Sequence, residues 1–323
     1  MSTTPLVKWV GGKTQLLGKI IPLVKKAAAA EDNNVRYCEA FAGGGSIFIK
    51  LLNELDDPDE DFDPQSIHIN DVNVGLVALY KSVKDNPKKF MKTVDKYAKV
   101  YDEAPTVEYS KRHNFTKEYD ISKRATTYKS KGKQCIFYYY RALYNAGQLT
   151  DVERAALFLF LNKTCFRGLY REGKNGFNVP WGSYINPTFY KRENVMRMSE
   201  FMNDNDVQFY NLDYKEFMLK MRQEAKENGE HIIAYFDPPY YPLNKKSFAT
   251  YSKDGFIEEH DKLAMLCKEL DSDGHTFIHS NSYCDYNVEA YADYKTEKLL
   301  CKRLINSKNP GDKDYEILVY NFE

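Results

Sequence analysis

Short apolar runs alternate with amphipathic stretches towards both ends of the chain. The apolar, β-branched runs predict strands over residues 35–41, 67–70, 207–210, 231–236 and 276–280. Apolar positions at helical spacing predict helices over residues 47–55, 74–84 and 258–271. Residues 298–304 and 315–321 predict a closing hairpin. Because strands alternate with helices, the pattern predicts an α/β fold with a parallel sheet and crossover helices.

The alternation is interrupted once, between residues 88 and 205. Helical spacing predicts helices over residues 88–100, 134–146 and 152–164, and Thr150 and Glu153 stand in capping-box register before the third. Residues 166–187, rich in Gly, Asn, Pro and aromatic residues, predict a loop with short extended pieces. We therefore expect one discontinuous α/β domain over residues 1–87 and 206–323. It would carry an inserted, mostly helical domain over residues 88–205.

Composition narrows the class of protein. The 323 residues are 43% hydrophobic, and no apolar run approaches the roughly 20 residues of a membrane span, so no membrane partner is expected. No secretory signal is recognised. The six cysteines form no CxxC pair and have no His at zinc-ligand spacing. These features predict free thiols, an intracellular, cytoplasmic location and no metal.

The charge is distributed unevenly along the chain. Residues 88–200 contain 22 Lys and Arg but 11 Asp and Glu, a net charge of +11, and the remainder carries −11. A basic middle indicates contact with a polyanion. A solvated helical surface would give the same excess, so charge alone does not choose between these readings.

The tetrapeptide Asp237-Pro238-Pro239-Tyr240 follows a predicted strand, where ligands bind in open α/β sheets. The prolines fix the turn and donate no N–H, so oxygen atoms are left to face a pocket. The amine of adenine is a poor nucleophile because its lone pair is delocalised into the ring. Asp237 and the Pro238 carbonyl can accept its two N–H groups and free the lone pair, and Tyr240 offers a stacking face. The alternative is an ordinary turn that ends a strand.

A glycine-rich turn, Gly43-Gly44-Gly45-Ser46, follows the first predicted strand. Glycines permit a tight turn and the close approach of a ligand, although Phe48 replaces the third glycine of a dinucleotide fingerprint. Asp71 follows the next strand, 26 residues after Gly45, where an acidic residue commonly binds ribose hydroxyls. The alternatives are a plain strand–helix turn and, for Asp71, a helix N-cap.

Residues 8–14 read Lys-Trp-Val-Gly-Gly-Lys-Thr. They do not form a Walker A loop, because Val7 stands where that motif needs glycine. Lys13 can pair with a ligand carboxylate, and Trp9 can line a nucleoside pocket. On spacing alone, a tryptophan here is more often a core residue and a lysine more often faces solvent.

Arginines and aromatic residues are interleaved over residues 166–171 and 177–184. This pattern suits phosphate contacts, guanine recognition and the insertion of a ring into a base stack. A loop packed around its own aromatic side chains would give the same pattern.

Taken in order, these segments resemble the Dam-type family of DNA adenine methyltransferases, of the alpha group, over nearly the whole chain. The shared segments are residues 8–13, 41–45, 70–73, 166–184, 237–240 and 280–282. The resemblance implies a Rossmann-like, S-adenosylmethionine-dependent sheet with an inserted target-recognition domain. It also implies methyl transfer to the exocyclic amine of an adenine flipped out of duplex DNA.

The resemblance implies a role for each matching residue. The catalytic residues that should hold the flipped adenine are Asp237, Pro238, Pro239 and Tyr240. The residues that should bind S-adenosylmethionine are Trp9, Lys13, Phe41, Gly43, Gly45, Ser46, Asp71 and Asp213. The residues that should contact DNA are Lys8, Phe166, Arg167, Leu169, Arg171, Pro180 and Tyr184.

In relatives that methylate GATC, the positions that help read the site match Lys8, Leu169, Arg171 and Pro180. Phe166 matches an aromatic residue that inserts into the duplex. Arg167 stands where asparagine is common, Ser183 stands where arginine is frequent, and residues 111–134 form a basic insertion without a clear match. These departures bear on the recognition site, for which GATC is the candidate, more than on the chemistry.

Other functions share parts of this pattern. An RNA or single-stranded nucleic-acid adenine methyltransferase would use similar chemistry, and a non-catalytic DNA-binding module would keep the fold. A small-molecule methyltransferase would not need the basic middle, and glutamine methyltransferases carry Asn where Asp237 stands. Duplex DNA is the expected partner, and a cognate restriction endonuclease and the oligomeric state are left open.

Overall fold

The computed structural model describes residues 2–32, 34–57, 62–107, 119–242, 256–302 and 313–323. The strands are β1 (Val35–Glu39), β2 (Ser66–Asn70), β3 (Glu172–Gly173), β4 (Gly176–Phe177), β5 (Gln208–Tyr210), β6 (His231–Phe236), β7 (Thr276–Ser282), β8 (Lys295–Lys302) and β9 (Lys313–Tyr320). The α-helices are α1 (Leu17–Ala30), α2 (Ser46–Leu55), α3 (Val74–Asp85), α4 (Pro87–Asp102), α5 (Lys133–Asn145), α6 (Asp151–Thr164), α7 (Arg192–Asp204), α8 (Tyr214–Asn228), α9 (Ile257–Ser272) and α10 (Asp285–Ala290).

The chain forms two compact units. One, here called the sheet unit, takes in the described residues of 13–42, 50–72 and 205–323. The other, here called the helical unit, takes in those of 1–12, 43–49 and 73–204. The functional division at residues 88 and 205 stays a prediction.

The sheet unit contains seven strands in the order β5-β2-β1-β6-β7-β9-β8. The first five of these strands run parallel, and β9 pairs antiparallel with both β7 and β8. The predicted parallel α/β sheet is therefore confirmed. The predicted closing hairpin is the β8–β9 pair, although residues 303 and 304 of the prediction lie outside the described residues.

The central strands are buried almost throughout because helices cover them. Ile232, Ala234 and Phe236 of β6 pack in one apolar cluster with side chains of α8 and α9. α1 also contacts β6 and β7, and its Pro22 lies inside the helix, in the second turn. Near-continuous apolar strands are what a sheet buried on both faces requires. The same burial explains why Arg36 of β1 is held by two carboxylates, those of Glu224 and Glu230.

In the helical unit, α6 packs against α3, α4 and α5, and α3 also packs against α7. α6 begins with the predicted capping box, since Thr150 and Glu153 each bond the other's backbone N–H. The predicted loop after α6 contains the short β3–β4 hairpin. Residues 111–118 of the basic insertion lie outside the described residues.

Four helices were absent from the sequence prediction: α1, α7, α8 and α10. Among the described helices, none combines the length and the apolar character needed to cross a membrane. All six cysteines are unpaired, five of them buried and Cys284 half-buried.

Candidate active site

The strand order of the sheet unit reverses direction between β1 and β6. The two strands pair in parallel with Glu39 opposite Tyr235, so their carboxyl ends lie at the same edge. Phe41 follows β1 and Asp237 follows β6. Ligands of open α/β sheets bind where the order reverses. The sheet unit therefore brings two of the predicted site residues to the expected edge.

Two residues distant in the sequence hold the Asp237 carboxylate in place. The Lys13 Nζ lies 2.7 Å from Asp237 Oδ1, and the Ser280 hydroxyl donates to the same oxygen at 3.2 Å. Lys13 is only 4% exposed, so the solvent-facing alternative for this lysine is wrong. Asp237 itself remains 18% exposed. Because both contacts made by described residues use Oδ1, Oδ2 is the oxygen that a substrate would meet.

The pKa of Asp237 is raised to about 6. Burial is the main cause, and the nearby carboxylate of Glu316 raises the pKa further. The Lys13 ammonium and the Ser280 hydroxyl act in the opposite direction. Asp237 is therefore ionised at neutral pH but close enough to its pKa to take up a proton.

Tyr240 is held at two points. Its hydroxyl donates to Glu316 Oε2 at 2.5 Å, and the Lys13 Nζ lies 4.6 Å from the centre of its ring. Burial raises the pKa of Tyr240 well above its usual value. The ring is therefore a neutral, oriented aromatic surface. Between Asp237 and Tyr240, Pro238 is buried and Pro239 is exposed.

Three consecutive residues at the end of β7 position this turn. Ser280 bonds Asp237, Asn281 Oδ1 accepts from the backbone N–H of Tyr241 at 2.9 Å, and the Ser282 hydroxyl donates to the Tyr241 carbonyl at 2.7 Å. The Tyr241 ring also stacks on Tyr286, with ring centres 4.3 Å apart. Residues 280–282, one of the segments of the resemblance, belong to β7 and hold the segment that carries Asp237 and Tyr240.

Three further predicted cofactor residues lie in the sheet unit. Phe41 is half-buried and packs against the rings of Tyr214 and Phe256. Asp71 is half-buried at the end of β2, and its N-cap alternative is wrong because Asn73 caps α3. Asp213 is exposed and caps α8 through one oxygen. An aromatic ring and two carboxylates suit an adenosine moiety.

Four predicted cofactor residues lie in the helical unit. Trp9 is half-buried and stacks on Tyr170, with ring centres 5.3 Å apart. A Cβ atom on Gly43 would lie 2.9 Å from Trp9 Cδ1, so this glycine makes room for the indole. Gly45, at φ 76°, fits against Phe48 and Tyr80, and Ser46 begins α2. Here the glycines serve contacts within the protein.

Asn162, at the buried end of α6, joins two segments predicted to read DNA. Its Oδ1 accepts from the backbone N–H of Lys8 at 2.9 Å. Its Nδ2 donates to the Lys8 carbonyl at 2.8 Å and to the Gly168 carbonyl at 3.0 Å. The Lys8 ammonium reaches over the Tyr184 ring at 5.7 Å. The helical unit therefore brings Lys8 to the arginine–aromatic segment.

Most predicted DNA-contacting side chains are accessible. Phe166 is 46% exposed, with the Arg167 guanidinium 5.3 Å from its ring centre. The other exposed members of the set are Lys8, Arg171 and Pro180, whereas Leu169 and Tyr184 are half-buried. Arg167 (φ 57°) and Ser183 (φ 60°) both adopt the left-handed backbone region. Asparagine adopts that region more readily than arginine or serine.

Two positioning residues were missed by the sequence reasoning: Asn162 and Glu316. Each contacts a residue far away along the chain: Asn162 bonds the backbone of Lys8, 154 residues away, and Glu316 bonds the hydroxyl of Tyr240, 76 residues away. No local motif marks either residue. Across the described ranges, no group of three or more His, Cys, Asp or Glu side chains is arranged to hold a metal ion.

The chain is similar to known proteins over nearly its whole length. The family model for D12 class N6 adenine-specific DNA methyltransferases matches residues 9–304. Type II methyltransferase M.MjaIII of Methanocaldococcus jannaschii is 31% identical over the full length of both chains. Type II methyltransferase M1.LlaDCHI of Lactococcus lactis subsp. cremoris is 30% identical over 98% of this chain and 95% of its own. The DNA adenine methylase of Escherichia coli K12 is 27% identical, over 97% and 93% respectively.

Proposed function

Because the chain belongs to the D12 class N6 adenine-specific DNA methyltransferase family, we propose that it methylates the exocyclic amine of an adenine flipped out of a short duplex DNA site, with S-adenosylmethionine as donor. Family membership confirms the resemblance read from the sequence. The observation that carries the proposal is the fixed Asp237 carboxylate, held through Oδ1, beside the oriented ring of Tyr240.

The site residues would act on the amine directly. Asp237 Oδ2 accepts one N–H of the amine and the Pro238 carbonyl accepts the other, which favours a pyramidal nitrogen with an available lone pair. Tyr240 stacks on the base and keeps its plane fixed. When bound, the cofactor supplies a methyl group on an activated sulfonium. As the nitrogen gains that methyl group it must lose a proton, and Asp237, with a pKa of about 6, can accept it.

The proposed cofactor residues are the eight named from the sequence. Phe41 would face the adenine of the cofactor. Asp71 would accept hydrogens from the ribose hydroxyls, and Asp213 would accept one from the adenine amine. The ammonium of Lys13, which contacts Asp237, would also attract the carboxylate of the cofactor. Trp9, Gly43, Gly45 and Ser46 would supply the remaining contacts.

Residues 88–205 are proposed to recognise the target, with GATC as the candidate site. The exposed side chains of Phe166, Arg167 and Arg171 support this, since they can reach a duplex. Lys8, Leu169, Pro180 and Tyr184 complete the proposed DNA-contacting set. As two relatives are named Type II methyltransferases, we also propose that methylation protects DNA inside the cell against a cognate endonuclease.

Methylation of random-sequence duplex DNA by the purified protein, read by single-molecule sequencing, tests the proposal. We expect methyladenine at one short motif, with single-stranded DNA and RNA of the same sequences as parallel substrates. Methylation confined to either of those, or none on any of them, would contradict it.

The catalytic assignment has its own test. Asp237→Ala should abolish methylation while calorimetry still detects binding of S-adenosylmethionine. The matched control is Asp273→Ala, which also removes a carboxylate from an ion pair, with Arg222, but at the surface. Near-normal turnover by Asp237→Ala would overturn the assignment.

A further inference from the structure

Glu316 forms a compact group with Lys13, Tyr240 and Asp237. It lies on β9, where it pairs with Ser282 of β7, the strand whose end holds the Tyr241 backbone. Its Oε2 accepts from the Tyr240 hydroxyl at 2.5 Å and lies 4.0 Å from the Lys13 Nζ. Its side chain is 21% exposed. All these groups belong to the sheet unit.

We propose that Glu316 is a positioning residue of the base-binding site, which fixes the Tyr240 ring through its hydroxyl and shares the Lys13 ammonium with Asp237. This inference rests on the function proposed above. Glu316 does not touch the reacting atoms, and it acts through Tyr240 and Lys13.

The orientation of the ring follows from the contacts around it. Two prolines precede Tyr240 and restrict its backbone, and the bond to Glu316 fixes the far end of its side chain. Lys13 lies 4.6 Å from the ring centre and so occupies one face of the ring. A stacked base would take the opposite face. A ring ordered before binding loses less conformational entropy when the base arrives.

The charges around Asp237 connect it to Glu316. Two carboxylates, those of Asp237 and Glu316, face one ammonium, that of Lys13. Within the described ranges, the other titratable groups near this cluster are Tyr235, Glu39, Cys301 and His279. The charge of Glu316 raises the pKa of Asp237, so removal of that charge should lower the pKa of Asp237. Glu316 therefore influences the pH at which Asp237 becomes ionised.

The sheet unit contains a matched control. Glu297 of β8 accepts from the Tyr320 hydroxyl at 3.2 Å and lies 3.5 Å from the Lys19 Nζ. It is another lysine–glutamate–tyrosine group on the same hairpin, and its glutamate is 33% exposed. It has no contact with Asp237 or Tyr240 among its described partners. Changes to Glu297 report what such a group contributes to the fold alone.

A double-mutant cycle tests the link to Tyr240. Glu316→Ala should lower kcat about tenfold, the effect expected when a hydrogen bond to a charged group is lost. In a Tyr240→Phe background, the same change should have less than a third of that effect because the hydroxyl is already gone. Glu316→Gln, which still accepts the hydroxyl, should keep kcat within about threefold of wild type. Glu297→Ala should leave kcat unchanged.

The pH profile provides a readout that a purely structural role would not move. In Glu316→Gln, the acidic limb of kcat/KM should shift to lower pH, whereas in Glu297→Gln it should stay in place. An unshifted limb, or an equal kcat loss for Glu316→Ala in both backgrounds, would overturn the inference while wild type remains active. A wild-type enzyme that methylates no substrate would overturn the proposed function and this inference with it.

Discussion

Replacing Asn162 by leucine removes the side chain that ties Lys8 to the loop after α6. Leucine has the same number of side-chain heavy atoms and the same branch at Cγ, so the change removes the hydrogen bonds while a side chain of similar shape occupies the site. Three bonds disappear: one from the Lys8 N–H, one to the Lys8 carbonyl and one to the Gly168 carbonyl. Asn162 is only 4% exposed, so water cannot easily replace them.

The expected loss in the free energy of unfolding follows from the burial of each hydrogen bond. The bond to Gly168 is buried and the two to Lys8 are part-buried. A hydrogen bond contributes about 1 kcal/mol net, and a buried group left unsatisfied costs about 1–3 kcal/mol. We therefore expect Asn162→Leu to lower the free energy of unfolding by about 3 kcal/mol. The KM for DNA should rise, because Lys8 and Gly168 flank the proposed DNA contacts.

Urea unfolding of wild type, Asn162→Leu and Asn203→Leu measures the effect. Asn203 is the matched control: its Nδ2 also donates to backbone carbonyls, those of Lys84 and Ser199, but the residue is exposed. Its loss should cost about 1 kcal/mol or less. Equal losses for the two variants would refute the view that Asn162 is a buried tie between the two segments.

Three further predictions concern the active site, the glycine turn and DNA reading. Since the pKa of Asp237 is about 6, kcat/KM should fall about tenfold per pH unit below pH 6, where the carboxyl is protonated. Between about pH 4 and 6, Asp237 is more protonated in the folded protein than in the unfolded chain. The contribution of Asp237 to the free energy of unfolding therefore falls as the pH rises through that window. A flat profile from pH 5 to 7 would contradict this. Gly45→Ala, whose Cβ would lie 2.8 Å from the Tyr80 hydroxyl, should cost about 1–3 kcal/mol in urea unfolding, more than Gly147→Ala, which has the same positive φ but open space. In a competition between the preferred DNA site and sites that differ from it by one base pair, Arg171→Ala should reduce the discrimination by about 1–3 kcal/mol. The control variant Arg197→Ala should leave the discrimination unchanged.

The elements that could be predicted are those with a local signal. β6 was predicted over residues 231–236 and occupies those residues, because an unbroken apolar run ends at Asp237 and two prolines. The α6 capping box needs only residues 150 and 153. α1 and α8 were missed because their signals are weaker. α1 contains Pro22, and α8 carries charges between the apolar residues that tertiary packing buries.

By itself, the sequence determined the parallel α/β pattern, the family, and the identity and order of the motifs that carry the chemistry. Tertiary structure decided which groups surround those motifs. Lys13 is bound to Asp237 and faces no solvent, and the glycine turn leaves room for Trp9. Glu316 orients Tyr240 from 76 residues away. Backbone propensities and turn chemistry act between near neighbours in the chain, whereas ion pairs and buried hydrogen bonds depend on distances in space that only the folded sheet and helices establish.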